Sequence, residues 1–165
     1  MYEGQISYAK LGGSYVLKFS GDVRYTICAP LSAFIKQLQE QAGYDDILID
    51  LTEAEGLDST NLGLLARVAN LVQDRFHHKT TMVSPNANVN RTLETMGFCE
   101  VFNIVEQYEL AGASSRALPG VEENNQEMAD AILHAHRCLA ALNESNREMF
   151  RSVVEAMESD VAKPP

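Results

Sequence analysis

An apolar run followed closely by the start of a helix most constrains the fold of this chain. Residues 47–51 read Ile-Leu-Ile-Asp-Leu, a run typical of a strand that is buried on both faces and covered by helices. After a short acidic segment, predicted to be a loop, residues 56–63 read Gly-Leu-Asp-Ser-Thr-Asn-Leu-Gly, and apolar residues then recur at helical spacing up to Val72. The pattern predicts a central strand that delivers Asp58 and Ser59 to the first turn of an amphipathic helix.

Ser59 is the residue of greatest functional interest, and two interpretations fit its position. Its hydroxyl can cap the helix by accepting a hydrogen bond from a backbone N–H of the first turn, and Asp58 fits either a cap or a solvated loop charge. Alternatively, a phosphate on an exposed serine there would meet free backbone N–H groups and the positive end of the helix dipole. The second interpretation makes the protein a switch rather than an enzyme.

Strands and helices alternate through the first 110 residues, which predicts an α/β fold: a mixed β-sheet with packed α-helices in a domain spanning residues 1–110. Two short strands flank a turn at Gly12-Gly13, and Gly21-Asp22 is predicted to break the second of them. The other predicted elements are a helix between Pro30 and Gly43, a strand at 79–83, a helix from about 89 to 96 closed by Gly97, and a strand at 102–105.

A different composition follows this domain. Residues 111–120 are rich in small residues, Gly and Pro, and predict a linker. Residues 121–160 predict a C-terminal helix with an apolar stripe, interrupted by the polar Asn146. Two arrangements fit: pairing with another helix, including self-association of the chain, or packing of one long helix back onto its own domain. Asn146 then either specifies the pairing register or lies on a helix edge turned to solvent.

Charge and composition narrow the function classes. The net charge of -10 argues against nucleic acid and anionic membrane surfaces as partners. The chain has neither a secretory signal pattern nor an apolar window of about 20 residues, and its three widely spaced cysteines indicate free thiols, so a cytoplasmic protein is expected. Because no nucleophile–base pair, Gly-rich phosphate loop or metal-ligand spacing is evident, we predict no catalytic residue, cofactor or metal site.

The order of elements and the segment at residues 57–63 resemble the STAS domain superfamily, specifically bacterial anti-anti-sigma factors, over about residues 4–108. Matching pieces also occur at residues 19–23, 29–31, 49–51 and 91–98. With its helical extension, the chain is similar to longer proteobacterial relatives of the HsbA type, which act in partner-switching pathways.

This resemblance implies that Ser59 is phosphorylated by an anti-sigma factor that is also a serine kinase, and dephosphorylated by a PP2C-type phosphatase. The unphosphorylated form would bind the anti-sigma factor and free a sigma factor, and phosphorylation would release that complex. Asn61 replaces a residue that is usually small in the family, and Arg24 one that is often acidic. The implied partner-binding residues are Asp22, Val23, Arg24, Asp58, Ser59, Thr60, Asn61, Leu62, Asn86 and Asn88.

Two other function classes compete with the switch. The same superfamily includes modules that dock constitutively on a transporter ATPase or a signalling scaffold, and in such a protein Ser59 would be only a helix cap. A small α/β enzyme or nucleotide-binding protein is the third class, against which the missing catalytic constellation weighs. Fold alone does not separate these classes.

Overall fold

The computed structural model describes residues 3–109, 114–122 and 124–162. The strands are Gln5–Leu11 (β1), Ser14–Val23 (β2), Asp46–Leu57 (β3), Thr80–Val83 (β4), Phe102–Val105 (β5) and Arg116–Ala117 (β6). The helices are Cys28–Glu40 (α1), Ser59–Phe76 (α2), Ala87–Thr95 (α3), Phe98–Val101 (α4), Asn125–Ala140 (α5) and Glu144–Ala162 (α6), with a 3-10 turn at Tyr25–Ile27. The predicted α/β fold with a C-terminal helical extension is confirmed.

One mixed sheet organises the described residues, in the strand order β5-β4-β3-β2-β1-β6. Strands β2 to β5 run parallel to one another, while β1 is antiparallel to both of its neighbours, β2 and β6. Because β2, β3 and β4 are parallel, their carboxyl ends lie along one edge of the sheet, and the connections into α1, α2 and α3 all leave from that edge. The topology therefore brings the three predicted partner-binding segments to one place.

The main core lies on one face of the sheet. Ile47, Ile49 and Leu51 of β3 belong to the large apolar cluster that includes residues from α1, α2, α3, α4, α5 and α6. On the opposite face, a small cluster contains Leu48 together with residues of β1 and β2. The sequence predicts helices over both faces of β3, but in the described residues the helices supply buried apolar side chains to the first face only.

Strands β2 and β3 are longer than the sequence predicts. Parallel pairing extends to Val23 and Leu57, so the acidic segment after Leu51 continues β3 instead of forming a loop. The pairing register shifts near Gly21, which has a φ of 72° that glycine adopts without a Cβ clash. The predicted strand break at Gly21-Asp22 is therefore wrong, because this irregularity lets β2 continue beyond it.

The helix ends of the domain differ from the sequence prediction by a few residues. Helix α1 ends at Glu40, before Gly43. Helix α3 begins at Ala87 because the Asn86 side chain caps its first N–H groups, and Gly97, at a φ of 77°, follows it as predicted. The short helix α4 was not predicted.

The C-terminal segment forms a helical hairpin, α5–α6, so the predicted single helix is wrong. The chain turns at residues 141–143, and the Asn143 carboxamide oxygen accepts a hydrogen bond from the Asn146 backbone N–H at 2.8 Å. Asn146 is fully buried and donates to the carbonyl oxygens of Met96 at 2.8 Å and Leu139 at 3.0 Å. The alternative prediction that Asn146 lies on a helix edge turned to solvent is also wrong, because its side-chain amide hydrogen-bonds the hairpin to the domain.

The predicted linker contains an unpredicted strand. Strand β6 pairs with β1, with Arg116 opposite Tyr8, and so the chain is held at the edge of the sheet before it enters α5. The linker residues 111–113 and the end of the predicted tail, 163–165, lie outside the described residues.

Candidate functional site

Backbone and side-chain hydrogen bonds join the loops at the carboxyl edge of the sheet. The Asp58 N–H donates to the Val23 carbonyl oxygen at 3.3 Å, and the Tyr25 N–H donates to the Asp58 carboxylate at 2.5 Å. The Asn86 side chain donates to a carbonyl of β3, that of Ala54, at 3.4 Å. The β2–α1, β3–α2 and β4–α3 connections thus form one surface around the start of α2.

Asp58, rather than Ser59, caps helix α2. One oxygen of the Asp58 carboxylate accepts hydrogen bonds from the Asn61 backbone N–H at 3.0 Å and from the Asn61 side-chain amide at 2.9 Å. Ser59 is the first residue of the helix. Its hydroxyl is therefore not occupied by capping and is available for another contact.

The Ser59 hydroxyl is hydrogen-bonded to a histidine of α5, which lies 77 positions later in the sequence. Ser59 Oγ lies 2.9 Å from His136 Nε2, and His136 Nδ1 lies 2.8 Å from the Ile132 carbonyl oxygen. Because a carbonyl can only accept, Nδ1 carries a hydrogen, and in the neutral form of the ring Nε2 can then accept the hydrogen of the serine hydroxyl. The imidazole is buried and packs edge-on against Phe150 of α6, with ring centroids 6.0 Å apart.

No pattern in the sequence connects His136 with Ser59. The i to i+4 hydrogen bond of His136 with Ile132 is local, but its contact with Ser59 depends on how the hairpin folds back. No residue spacing in the sequence predicts a contact between positions 59 and 136, so only the folded structure reveals it.

The backbones of α2 and α5 meet one turn beyond Ser59. A Cβ atom at Gly63 would lie 2.1 Å from the Ala135 carbonyl oxygen and 2.4 Å from its carbonyl carbon. Ala135 itself is fully buried. A glycine at this position therefore allows the hairpin to lie directly against the first turns of α2.

The structure distributes the predicted partner-binding residues over three environments. Arg24 and Asn88 are exposed, and Asp22, Asp58, Ser59 and Asn86 are partly exposed. Four others are buried: Val23 (0% exposed), Thr60 (5%), Asn61 (0%) and Leu62 (2%). These four cannot contact a partner in this conformation, because the domain core and the hairpin cover them. Partner binding by the ten residues stays a prediction.

An ion pair between Arg24 and Asp22 lies at this edge. Arg24 Nε donates to the Asp22 carboxylate at 2.8 Å, and this hydrogen bond, with the charge of Asp22, raises the pKa of Arg24. At the start of α1, burial raises the pKa of the Cys28 thiol, and the nearby Asp58 charge raises it further. Cys28 is thus held in its neutral form, which is a poor nucleophile.

A half-buried arginine lies farther along the contact between α2 and the hairpin. Arg67 donates to Ser32 Oγ at 3.3 Å and to Gln39 Oε1 at 3.1 Å, while its Nε is buried and, among the described residues, has no partner. Burial lowers the pKa of Arg67. Two neighbouring clefts of about 560 and 500 Å³ are both lined by Arg67 and His134. This part of the interface is polar and incompletely hydrogen-bonded.

A protein family profile identifies the domain that contains this sheet and its carboxyl edge. The STAS domain profile matches residues 5–111, well over half of the chain. The chain belongs to the STAS domain family. No curated protein is significantly similar to it. The finer assignment to anti-anti-sigma factors of the HsbA type stays a prediction.

Two further properties concern the described residues of this STAS protein. None of their helices combines the length and apolar character needed to cross a membrane. No group of three or more His, Cys, Asp or Glu side chains among them is arranged to hold a metal ion.

Proposed function

We propose that this STAS protein is an anti-anti-sigma factor that exchanges partners according to phosphorylation at Ser59. The observation that carries the proposal is the position of the Ser59 hydroxyl. It lies on the first residue of an 18-residue helix, Ser59 as a residue is partly exposed, and Asp58 has already taken the capping role. A phosphate there is added without removing the cap that holds the helix start.

The neighbouring Thr60 is a much poorer acceptor, because its side chain is buried. A phosphate on Ser59 adds roughly -1.5 to -2 charge beside the Asp58 carboxylate. A partner that docks against the neutral hydroxyl would then have to bury this charge, which weakens binding by several kcal/mol, on the order of a thousandfold in affinity. The protein itself catalyses nothing under this proposal.

The proposed modification requires a kinase that holds ATP and acts on the Ser59 hydroxyl. The γ-phosphoryl group leaves ADP and forms a bond with Ser59 Oγ, and the hydroxyl proton passes to solvent. A PP2C-type phosphatase reverses the modification by hydrolysing that bond. The partners are accordingly an anti-sigma factor with serine kinase activity and a phosphatase in the cytoplasm.

Intact-mass measurement and phosphosite mapping of the chain from its native cells test the proposal. We expect a species that is heavier by one phosphate, mapped to Ser59. In pull-downs from the same cells, Ser59→Ala should retain the partner and Ser59→Asp should lose it, whereas Ser145→Asp, an exposed position on α6, should bind like the wild type. A chain that is unmodified in every growth condition, with its partner bound regardless of residue 59, would favour the constitutive docking subunit.

A further inference from the structure

The hairpin covers the surface that the proposed partner would use. We define this α2 surface as residues 59–63, of which Thr60, Asn61 and Leu62 are buried. Helix α5 lies over it, with the Ser59–His136 hydrogen bond at one end and the Gly63–Ala135 contact at the other. An external protein can reach the buried residues 60–63 of the α2 surface only if the hairpin leaves them.

At the Ser59 end of this contact, no phosphate fits between the two side chains in their present orientation. The 2.9 Å distance between Ser59 Oγ and His136 Nε2 is a direct hydrogen bond, so a phosphorus atom and three oxygens do not fit between the two groups. His136 cannot turn aside easily, because its Nδ1 is bonded to the Ile132 carbonyl and its ring packs against Phe150.

At the other end, the close contact between Gly63 and Ala135 prevents α2 and α5 from moving apart only near Ser59. The two backbones already touch there, and a rigid helix transmits any displacement at Ser59 to Gly63 one turn away. A local adjustment of the first turn is also opposed by Asp58, which binds both the Asn61 N–H and the Tyr25 N–H. The hairpin must therefore move as a unit if the Ser59 side chain grows towards it.

One part of the remaining interface is polar, although Leu139 and Asn146 hold the hairpin against the domain elsewhere. Arg67 contacts neutral side chains and, within the described part of the chain, has no carboxylate partner, and its Nε and the Asn61 carboxamide oxygen are buried without hydrogen bonds. Buried polar groups without partners reduce the free energy gained by docking, because water would hydrogen-bond to them in the separated state. Helix α5 follows β6 after a connection whose described residues, 118–122 and 124, belong to no helix or strand.

We propose that the α5–α6 hairpin is an internal ligand of the α2 surface, and that a phosphate on Ser59 displaces it. This inference rests on the proposed function only in taking Ser59 as the acceptor. In the unphosphorylated chain, the hairpin and an external partner compete for the same residues. In the phosphorylated chain, the hairpin is released while the STAS sheet stays folded.

Full-length protein with phosphoserine encoded genetically at position 59 tests this proposal, with amide hydrogen exchange as the measurement. We expect α5 amides (Asn125–Ala140) to exchange at least about tenfold faster than in the unmodified chain, while β2 and β3 amides keep their protection. The matched control carries phosphoserine at Ser145, an exposed residue in the first turn of α6, and should keep α5 protected. Ser59→Ala, which removes the hydroxyl but fits the same space, should also keep it protected.

Two results would overturn the proposal. Unchanged or slower exchange of α5 would mean that the interface accommodates the phosphate. Faster exchange throughout β2 and β3 would mean that the phosphate unfolds the domain instead of releasing the hairpin. Because the phosphate is supplied during synthesis, the result does not depend on a cellular kinase, whereas failure to find Ser59 phosphorylated in native cells would count against the proposed function alone.

Discussion

Replacing Gly63 by alanine separates the stability of α2 from the docking of the hairpin. The added Cβ would lie 2.1 Å from the Ala135 carbonyl oxygen, and the other two nearest atoms, at 2.4 and 2.9 Å, also belong to the Ala135 backbone. No side-chain rotation can relieve such a contact. Since ordinary contacts of a Cβ atom begin near 3.4 Å, the two helices must separate by about 1 Å or the hairpin must undock.

Two free-energy changes of opposite sign follow. Alanine in place of glycine favours the helical state of α2 by about 1 kcal/mol, whether or not the hairpin is docked. Overpacking, by contrast, costs about 1–3 kcal/mol and acts on the docked state only. The overpacking cost therefore acts in full on the docking equilibrium, and lowers the equilibrium constant for hairpin docking by about 5–150-fold.

Hydrogen exchange resolved by segment distinguishes the two changes. We expect Gly63→Ala to accelerate exchange in α5 and α6 within that range, while β2 and β3 keep or gain protection. Asn70→Ala is the matched control, because it raises helix propensity at an exposed position of α2 and adds no side-chain atom that could press on α5. If Gly63→Ala leaves α5 as protected as in the wild type and only raises the unfolding midpoint, the close backbone contact and the reasoning built on it are refuted.

Three further predictions can be checked by urea unfolding. Asp58→Ala removes the α2 cap and should lower the free energy of unfolding by about 0.5–2 kcal/mol, an expectation contradicted by an unchanged midpoint. Asn146→Ala removes the shorter of two hydrogen bonds to the Met96 carbonyl, leaving only that from the Asn143 side chain at 3.4 Å, and should cost about 1–3 kcal/mol, more than Asn→Ala at the exposed Asn88. Burial, and then the charge of Arg67, lowers the pKa of His134 below 6.5. The unfolded chain thus binds more protons, so stability should fall as pH drops below about 6.5, and His134→Gln should reduce that fall.

Local patterns in the sequence were sufficient to predict most of the STAS domain. Three local patterns carried that prediction: the alternation in β1 and β2, the apolar run of β3 and the helical periodicity after Ser59. Each pattern reflects which sides of a single element face solvent, and this is visible directly in the sequence. The resemblance then predicted which loops meet. The errors at Gly21 and in the acidic part of β3 share a cause: pairing between two strands supplied hydrogen bonds that neither segment indicates alone.

The candidate site was predictable only in part, because its decisive contacts cross long sequence separations. Asp58 and Ser59 stand out as a helix start, but which of them caps the helix depends on the competing partner at His136. The α5–α6 turn was missed because the apolar stripe continues through it without a glycine or proline to mark the break. Asn146 appeared as a polar interruption, and its two carbonyl partners became evident only in the fold.

The short connection between β6 and α5 has a quantitative consequence for any protein that binds the α2 surface. The α5–α6 hairpin is tethered by residues 118–124, so its effective concentration at the α2 surface is about millimolar. This concentration does not fall when the protein is diluted, and an external ligand must compete against it. The apparent Kd of an external ligand equals its intrinsic Kd divided by the fraction of chains whose surface is open. If one chain in about a hundred is open, a nanomolar interaction is measured as roughly 0.1 micromolar, and every substitution that loosens the hairpin tightens binding in proportion.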